Sequence, residues 1–484
     1  MKKETRIKEI QKIVDLNQEN PFGKTEIPWE DDLQTMKVYK IPLDLLVYNK
    51  YNGRILSRTK SLEKQKYNID VETDIGKKLI EKLLWESKID KNKRTLESIA
   101  YHEQQKIGII TKDGIVIDGN RRVMMLNKIM ENDRFKKKYN YFKAVVLPVT
   151  SEENPIEIEE LETKFQMGED EKLGYNATEK YLKAKGLYLQ LTNSMDINLN
   201  DFNKKAIDKI SDWMGEPESE IKKYLNTMAI MDEYLEYYEY DGIYTQLDSR
   251  EDQFLSLTKW LNSFYENESK KGFDGYVDTD VDDLKAIAFD YLRIRNKYDG
   301  KEFRNLAEGQ NDKHFFGNKH IWDSFHKNHF DILSRLPEEA EIEINSNNLK
   351  KHLDSRDSEF FENSKFGNED SEFLENLFEH KQLIGYSKAA KQPEKLVKRA
   401  TQAFESIKTN HSSFSKPEVQ KLVKELGDRV INSLQKNSPS SILAHLIDQL
   451  KLIDIDKIPE NEIEEVQNKS KEIQQICYRI YKSL

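Results

Sequence analysis

The stretch "GIVIDGNRRVMMLNKI", residues 114–129, predicts a buried strand that turns directly into a helix. Residues 115–117 are a short run of β-branched side chains typical of a strand, and residues 123–126 begin an apolar helix. Only Asp-Gly-Asn-Arg-Arg separates the two. Because further short strands and helices flank this element, the sequence predicts a mixed domain of strands and helices around one sheet.

The residues between this strand and helix combine features that favour a bound phosphate. The first turn of a helix offers unpaired N–H groups and a positive dipole end. Gly119 allows a ligand close to the backbone, Asn120 is a helix-capping residue type, and Arg121 and Arg122 carry guanidinium forks that match phosphate oxygens. Successive helical side chains diverge by about 100°, so we expect at most one arginine to face the anion fully and the other to brace the loop or to point to a second phosphate. Asp118 is placed to hold an arginine or a metal-bound water; alternatively, this is a surface turn whose arginines pair with nearby carboxylates.

The composition limits which classes of protein this chain can belong to. The chain has 484 residues, a net charge of −10 and a single cysteine, Cys477. A disulfide framework is therefore excluded, and we expect a cytoplasmic protein without a membrane segment. Proteins that bind DNA through broad electrostatics are usually basic, so any nucleic acid would have to bind local positive patches. The sequence has no Walker loop, no His-Glu-x-x-His and no Gly-x-Ser-x-Gly motif.

Changes in pattern along the chain predict four segments. Residues 1–35 are predicted as a helical extension that ends in a polar connector. Residues 36–150 alternate short strands with helices and form a compact domain, which includes a β-hairpin over residues 106–117. Residues 151–245 have helical periods, and residues 246–484 continue as a mostly helical segment with polar interruptions. The role of the last segment is not indicated by any motif.

The segment "IDGNRRVMMLNK" resembles the Gly-x-Arg-Arg segment of ParB-type partition proteins and the related loop of sulfiredoxin. In that superfamily this junction binds nucleotide phosphates. The resemblance covers residues 36–235, and Arg54 ends a loop that matches the family's Asn-Pro-Arg loop in part. It implies an α+β ParB/sulfiredoxin-like nucleotide-binding domain over residues 36–150, then an all-α helix-turn-helix region and an all-α C-terminal domain. The residues that would contact nucleotide phosphates are Gly119, Asn120, Arg121, Arg122 and Arg54.

A second segment, "LETKFQMGEDEKLGYNATEKYLKAKGL", resembles the family's Glu-Asn-x-x-Arg segment and the Leu-x-x-x-Glu that follows it. Glu162 and Glu179 take the two glutamate positions, while Thr163 and Gln166 stand where the family has Asn and Arg. The resemblance implies that Glu162 helps to hold Mg²⁺ beside a nucleoside triphosphate, with CTP and ATP both left open. If hydrolysis occurs, Asp118 and Glu162 are the candidate catalytic residues.

A third segment, "AIDKISDWMGEPESEIKKYLNTMAIMDEYL", resembles the helix-turn-helix of the same family. Gly215 is the expected tight turn between the helices. A recognition helix reads bases with its N-terminal residues, so Ser219, Lys222 and Lys223 are the candidate DNA-binding residues. Three glutamates between residues 216 and 220 repel phosphate, so the alternative is a helix pair that serves structure or contacts a protein.

The resemblance implies a ParB-like, nucleotide-dependent DNA-binding protein, with NTPase activity left open. One alternative is a metal-dependent nuclease or a phosphotransferase on the same fold. Another is a non-catalytic scaffold whose C-terminal half binds a protein partner. The combination of domains, rather than any residue, suggests a bacterial phage-defence or mobile-element system.

Three other patterns could mark binding sites or could be structural. The sequence places four histidines close together, which we interpret as structural or surface residues rather than zinc ligands. The basic stretch "SKAAKQPEKLVKRATQAF" is interpreted as a solvated helix face, with phosphate contact as the alternative. The final segment, "NEIEEVQNKSKEIQQICYRIYKSL", predicts an amphipathic helix that either packs on the chain or forms a homodimer. The histidines are His314, His320, His326 and His329.

Overall fold

A computed structural model gives the structure of the chain. The residues that it describes are 1–30, 32–65, 67–131, 138–167, 176–265, 269–294, 302–309, 313–340, 342, 349–365, 370–390, 392–435 and 439–484.

A six-stranded sheet forms the N-terminal part of the described chain. Its order is β1-β2-β6-β4-β5-β3. Strands β3 and β5 pair in parallel, as do β4 and β6, and the other neighbours are antiparallel. The strands are β1 (Gly23–Trp29), β2 (Asp32–Pro42), β3 (Val47–Tyr48), β4 (Gly108–Ile110), β5 (Ile115–Asp118) and β6 (Tyr141–Val146).

Helices make up most of the remaining described chain. The chain forms two compact units, residues 1–391 and 392–484. The helices of the first unit are α1 (Lys3–Leu16), α2 (Leu56–Lys64), α3 (Asp74–Ser87), α4 (Ile89–His102), α5 (Asn120–Met130), α6 (Pro155–Met167), α7 (Ala177–Thr192), α8 (Lys204–Met214), α9 (Glu218–Tyr237), α10 (Glu251–Leu261), α11 (Asp278–Arg293), α12 (Lys319–Leu333), α13 (Leu349–Asn363) and α14 (Glu372–Ala389). Those of the second unit are α15 (Pro393–Glu405), α16 (Pro417–Gln435), α17 (Pro439–Lys451) and α18 (Ile463–Ser483).

The sheet is covered on both faces because its strands alternate their apolar side chains. On β5, Val116 points into the core that includes Leu84 of α3 and Met125 of α5. Ile117, the next residue, joins the opposite core with Leu161 of α6. A strand that is buried on both faces has apolar residues at successive positions, which explains why residues 115–117 of β5 are all apolar. The predicted hairpin is confirmed, with β4 and β5 as its arms.

The polar connector predicted after the helix within residues 1–35 is wrong, although the helix itself is present. Strand β1 occupies residues 23–29 and pairs with β2 along its whole length, from Gly23 opposite Val38 to Trp29 opposite Asp32. Ile27 and Trp29 are buried and alternate with more exposed side chains. A strand of this length with only two core side chains, interrupted by a proline, gives a weak periodic signal.

The helical region has one continuous core within the first unit. A single apolar cluster includes Tyr181 of α7, Ile210 of α8, Phe254 of α10 and Ile384 of α14. It therefore spans the predicted boundary at residue 245. The C-terminal segment predicted over residues 246–484 is divided between the two units. The coarse fold class is confirmed, since a mixed α/β N-terminal region is followed by helices.

A side chain at Gly119 should strain the junction of β5 and α5. Gly119 has φ +109°, and a Cβ atom there would lie 2.6 Å from Cζ of Phe142. We expect Gly119→Ala to cost at least about 1 kcal/mol in backbone strain and about 1–3 kcal/mol more in overpacking. The measurement is the midpoint of thermal unfolding.

Gly186→Ala is the matched control, because Gly186 lies inside α7 and an added Cβ has nothing within 4 Å. Since alanine favours a helix over glycine by up to about 1 kcal/mol, this variant should keep or raise the midpoint. Equal decreases in the two variants would contradict the structural role of Gly119.

Candidate phosphate-binding site

The junction of β5 and α5 presents the N-terminus of a helix without a side-chain cap. Gly119 is the N-cap residue, and no side chain bonds the first-turn N–H groups from this position. The expectation that Asn120 caps the helix is wrong, because Asn120 is already the first helical residue. Its buried side chain accepts a hydrogen bond from the Asn49 N–H (3.0 Å) and donates one to the Val116 carbonyl (2.8 Å). Asn120 therefore fastens the loop after β3 to β5.

Arg121 lies at this helix end and bonds only a neutral partner among the described residues. Its Nε donates to Oδ1 of Asn92 at 2.9 Å, and its Nη2 bonds the same oxygen. Asn92 is itself held by the carbonyls of Leu84 and Trp85, at 2.9 and 2.7 Å. Burial lowers the pKa of Arg121 to about 10, with the charges of Arg54 and Arg122 adding to the effect. An anion beside this guanidinium would stabilise its charged form and so oppose this lowering.

Arg122 braces the junction instead. Its guanidinium forms an ion pair with Asp118 and donates to the carbonyls of Lys106 and Ile107. It also lies over the ring of Phe142, 6.0 Å from the ring centroid. These contacts tie the start of α5 to the segment that leads into β4. The alternative in which the arginines pair with carboxylates thus describes Arg122, whereas Arg121 has no such partner in the described chain.

Positive charge is concentrated beside Arg121. Arg54 follows Asn52, whose Oδ1 accepts the Arg54 N–H at 3.3 Å. Burial lowers the pKa of Lys88, at the junction of α3 and α4, and the charges of Lys91, Arg54 and Arg121 lower it further. Side chains from three separate segments thus raise the local potential at one helix N-terminus. Sequence reasoning found Arg54 and Arg121 but missed Lys88 and Asn92.

Glu162 is buried behind this site and receives hydrogen bonds from several elements. Nδ2 of Asn49 and Nδ2 of Asn52 each donate to it at 3.2 Å, and Nε2 of Gln166 donates at 2.9 Å. Lys183 of α7 lies 3.5 Å from its Oε2. Burial raises the pKa of Glu162 to about 7, against the effect of Lys183. The carboxylate thereby joins the loop after β3 to α6 and α7.

Gln166 and Thr163, which depart from the family pattern, have structural contacts here. Gln166 donates to the Ile117 carbonyl at 3.2 Å as well as to Glu162. The Thr163 hydroxyl donates to the Glu159 carbonyl at 2.7 Å. Residues 168–175 of the same segment lie outside the described residues.

The arrangement around Glu162 does not fit a Mg²⁺ ligand. Magnesium needs carboxylate oxygens open to the ion, and the oxygens of Glu162 accept bonds from amide groups and face a lysine. In the described part of the chain, no group of three or more His, Cys, Asp or Glu side chains is arranged to hold a metal ion.

Glu179, the second matched glutamate, anchors α2 to α7. It accepts hydrogen bonds from the Ser57 N–H at 3.0 Å and the Ser57 hydroxyl at 2.6 Å. Arg58 lies 3.9 Å away. Burial raises the pKa of Glu179 to about 7, although the bonds from Ser57 oppose this.

The predicted helix-turn-helix is present as a helix pair. Gly215 has φ +65° and ends α8, and α9 begins at Glu218. Asn203 caps α8 by accepting the Ala206 N–H at 3.1 Å. Trp213 and Ile221 are buried where the two helices pack.

The three candidate DNA-binding residues of α9 line a cavity of about 760 Å³. Lys259 of α10 and Arg304 line the same cavity, and sequence reasoning missed both because they are distant along the chain. Lys223 pairs with Glu220 at 3.0 Å and Arg304 with Glu308 at 3.4 Å. Among the described residues, Lys222 and Lys259 have no carboxylate within ion-pair distance. The candidate residues are Ser219, Lys222 and Lys223.

Two of the clustered histidines have carboxylate partners. His329 is buried and its Nε2 lies 3.0 Å from Oδ2 of Asp290. His326 pairs with Asp283 at 2.9 Å. The interpretation of these two histidines as structural residues is confirmed.

Comparison with known protein families, curated proteins and solved structures gives no match to this chain. Within the described residues, no helix combines the length and apolar character needed to cross a membrane.

The Glu179 carboxyl should make stability depend on pH. Its pKa in the folded chain lies above the ordinary value near 4.5, so its stabilising contribution is complete below pH 4.5 and disappears as the pH rises through about 7. We expect the unfolding midpoint of the parent chain to fall between pH 5 and pH 8, and Glu179→Gln to reduce that fall.

Glu236→Gln serves as the control, because Glu236 is exposed on α9. This variant should show the same fall of the unfolding midpoint with pH as the parent chain. A Glu179→Gln variant with the full pH dependence of the parent chain would show that this carboxyl is charged in the folded chain throughout the range.

Proposed function

We propose that this chain is a ParB-like protein that binds the phosphates of a nucleoside triphosphate at the N-terminus of α5 and contacts DNA beside α9. The nucleotide is CTP or ATP, with Mg²⁺ entering as the ion that accompanies the triphosphate. The observation that carries the proposal is the environment of Arg121. This half-buried cation is held by a neutral amide, close to two other arginines, at an uncapped helix end.

The geometry favours phosphate over other ligands at this site. A phosphate oxygen would accept the first-turn N–H groups of α5 and complement the helix dipole. It would also bond Arg121, which Asn92 already orients, so little side-chain entropy is lost on binding. Arg54 would face a second phosphate from the loop after β3.

Asp118 and Glu162 are assigned to positioning rather than to catalysis. Asp118 holds Arg122, and Glu162 holds Asn49 and Asn52. Neither carboxylate is presented to a reacting group in this arrangement. Nucleotide hydrolysis therefore stays a prediction, and the described residues offer no specific contact that favours the nuclease or phosphotransferase alternatives.

The cavity beside α9 supports the nucleic-acid part of the proposal. Four basic side chains line it, compared with two acidic side chains, Asp252 and Glu308. Phosphate contacts position a protein on nucleic acid without reading its sequence. Because the glutamates at the start of α9 suit few base contacts, we expect backbone binding with little sequence preference. The cations are Lys222, Lys223, Lys259 and Arg304.

Nucleotide affinity should depend on one of the two adjacent arginines. By isothermal titration calorimetry with the four common nucleoside triphosphates and Mg²⁺, the parent chain should bind at least one of them. Arg121→Ala should weaken that affinity about 10- to 100-fold, since hydrogen bonds to charged groups contribute about 1.5–3 kcal/mol. Arg122→Ala should chiefly lower the unfolding midpoint, because Arg122 braces the fold.

Arg335→Ala is the matched control, since Arg335 is an exposed arginine paired with Glu372. It should retain the parent affinity. The proposal is wrong if the parent chain binds none of the four nucleotides, or if Arg121→Ala binds as tightly as the control.

Nucleic-acid binding should depend on the two lysines that lack carboxylate partners in the described chain. With a fluorescent oligonucleotide and fluorescence anisotropy, Lys222→Ala with Lys259→Ala should weaken binding similarly for unrelated sequences. The slope of log affinity against log salt should become shallower by about 1 for each phosphate that the protein no longer neutralises. Duplex and single-stranded probes show which form the cavity accepts.

Lys205→Ala, an exposed lysine on α8, is the control and should change neither affinity nor slope. If the double variant binds the oligonucleotide as strongly as the Lys205→Ala control, the cavity beside α9 is not the nucleic-acid site. Loss of nucleotide binding in the Lys222 and Lys259 variant would instead indicate damage to the fold.

A further inference from the structure

Three arginines are buried close together in the helical part of the first unit. Arg250 comes directly before α10, Arg293 ends α11 and Arg356 lies on α13, and each is at most 9% exposed. Positive charges that are removed from water need anions beside them. The carboxylates that balance this cluster are of two kinds, one fixed in a helix and one carried by a loop.

Asp357 is the fixed carboxylate. It lies within α13, next to Arg356 along the chain, and is buried. Its Oδ2 accepts a hydrogen bond from Arg250 at 3.1 Å, and its Oδ1 accepts bonds from Nε of Arg293 and the Tyr240 hydroxyl, both at 2.9 Å. One carboxylate cannot balance three guanidinium groups, so the cluster needs a further anion.

Glu339 supplies that anion from a loop. Nη1 and Nη2 of Arg293 donate to its Oε1 and Oε2, at 2.6 and 2.9 Å, and Nε of Arg356 lies 3.0 Å from Oε2. The rings of Tyr238 and Phe360 cover the Arg293 guanidinium, with centroids 4.3 and 4.4 Å from its Cζ. This packing restricts the guanidinium, so its paired N–H groups keep their direction whichever carboxylate they bind.

The backbone of Glu339 belongs to neither a helix nor a strand. It lies in the loop after α12, where residues 337–340 are exposed, yet its carboxylate ends on Arg293, whose side chain is fully buried. Loops with few buried contacts open at a lower free energy than core helices do. Of the two carboxylates, Glu339 is therefore the one that can leave the cluster without unfolding a helix.

Departure of Glu339 would leave a buried charge without its main partner. Burial opposes the charge of Arg293, but its hydrogen bonds to Glu339 outweigh this and raise its pKa above the ordinary value, with Asp357 adding to the effect. Arg356 would retain Glu239, which is 3.6 Å away and largely exposed, so that water screens the pair. Because an uncompensated buried charge is strongly destabilising, the vacated position should bind another anion.

We propose that Arg293 and Arg356 form a carboxylate-binding site in which Glu339 takes the place of an external ligand. Such a ligand would present its two oxygens to the Nη groups of Arg293 as Glu339 does, which is the bidentate geometry that arginine offers to carboxylates. Because the end of one acidic side chain reaches and fills it, the site suits a small carboxylic acid. It shares no residue with the nucleotide and nucleic-acid sites proposed above and is separate from them.

Removal of the Glu339 side chain should create a variant that acetate stabilises. Glu339→Ala should lower the midpoint of thermal unfolding by several degrees, because Arg293 loses its bidentate partner. Acetate contains the atoms that this truncation removes, and at hundreds of millimolar it should restore most of the loss, since a ligand of the folded state raises the midpoint. Sodium chloride at the same ionic strength, and the neutral isostere acetamide, should not. If the variant folds poorly in chloride, recovery of folded protein in acetate alone is the same rescue.

Two further variants and a second anion show whether the rescue is specific. Glu338→Ala changes the neighbouring exposed glutamate and should respond to acetate as the parent chain does. Glu339→Gln removes the charge but keeps the length of the side chain, so it should be destabilised while its amide blocks rescue by acetate. Inorganic phosphate should stabilise Glu339→Ala less than acetate, because it is larger than the space that one carboxylate leaves.

Hydrogen exchange in the parent chain tests whether an external carboxylate displaces Glu339. A tethered carboxylate acts at an effective concentration on the order of millimolar, so acetate at hundreds of millimolar should displace part of it. Peptides that cover residues 334–340 should then exchange faster in acetate than in chloride, whereas peptides from the buried helix α10 should exchange equally in both.

Equal responses of Glu339→Ala to acetate and to chloride would overturn the proposal, because the arginines would then form no anion site. Stronger rescue by phosphate than by acetate would overturn the assignment to carboxylates. Exchange of residues 334–340 at the same rate in both salts would show that Glu339 is a permanent structural partner, and would also overturn it.

Discussion

A buried carboxylate, Glu162, joins the parts of the molecule that form the candidate site. Its side-chain donors come from the loop after β3, from α6 and from α7. The same loop carries Asn49, whose N–H reaches Asn120, and Asn52, whose Oδ1 fixes Arg54. Because a buried group left without its partner costs about 1–3 kcal/mol, these bonds hold the loop and the start of α5 in one arrangement. They thereby fix the backbone that carries Arg54 and the start of the helix that carries Arg121.

This constraint explains why adjacent arginines have different roles. Arg121 and Arg122 point in different directions because successive helical residues diverge. The Arg122 side chain contacts Asp118 and two backbone carbonyls, so its charge is balanced within the fold. The Arg121 side chain contacts the amide oxygen of Asn92, which carries no net charge. One arginine therefore stabilises the junction, and the other retains a positive potential that an anion is suited to balance.

The sequence predicted the features that depend on local pattern. The β4–β5 hairpin, the helix after Gly119 and the α8–α9 pair all rest on turn residues and apolar spacing within one continuous stretch of chain. Strand β1 was missed because only Ile27 and Trp29 mark its buried face. The neutral partner of Arg121 is Asn92, twenty-nine residues away, and Lys259 joins the α9 cavity from a separate helix. Such long-range contacts depend on packing, which periodicity does not encode.

The acidic balance of the chain affects how both proposed sites would work. With a net charge of −10, the body repels polyanions at long range, and salt screens this repulsion as well as the attraction of local cations. Binding must then come from short-range contacts in places where positive charge is concentrated, as it is around Arg121 and in the α9 cavity. The two differ in exposure: Arg121 is half-buried, whereas Lys222 and Lys259 lie at the surface. Since exposed charges are screened more than buried ones, nucleic-acid binding should weaken with salt more steeply than phosphate binding at α5, which makes ionic strength a means of separating the two sites.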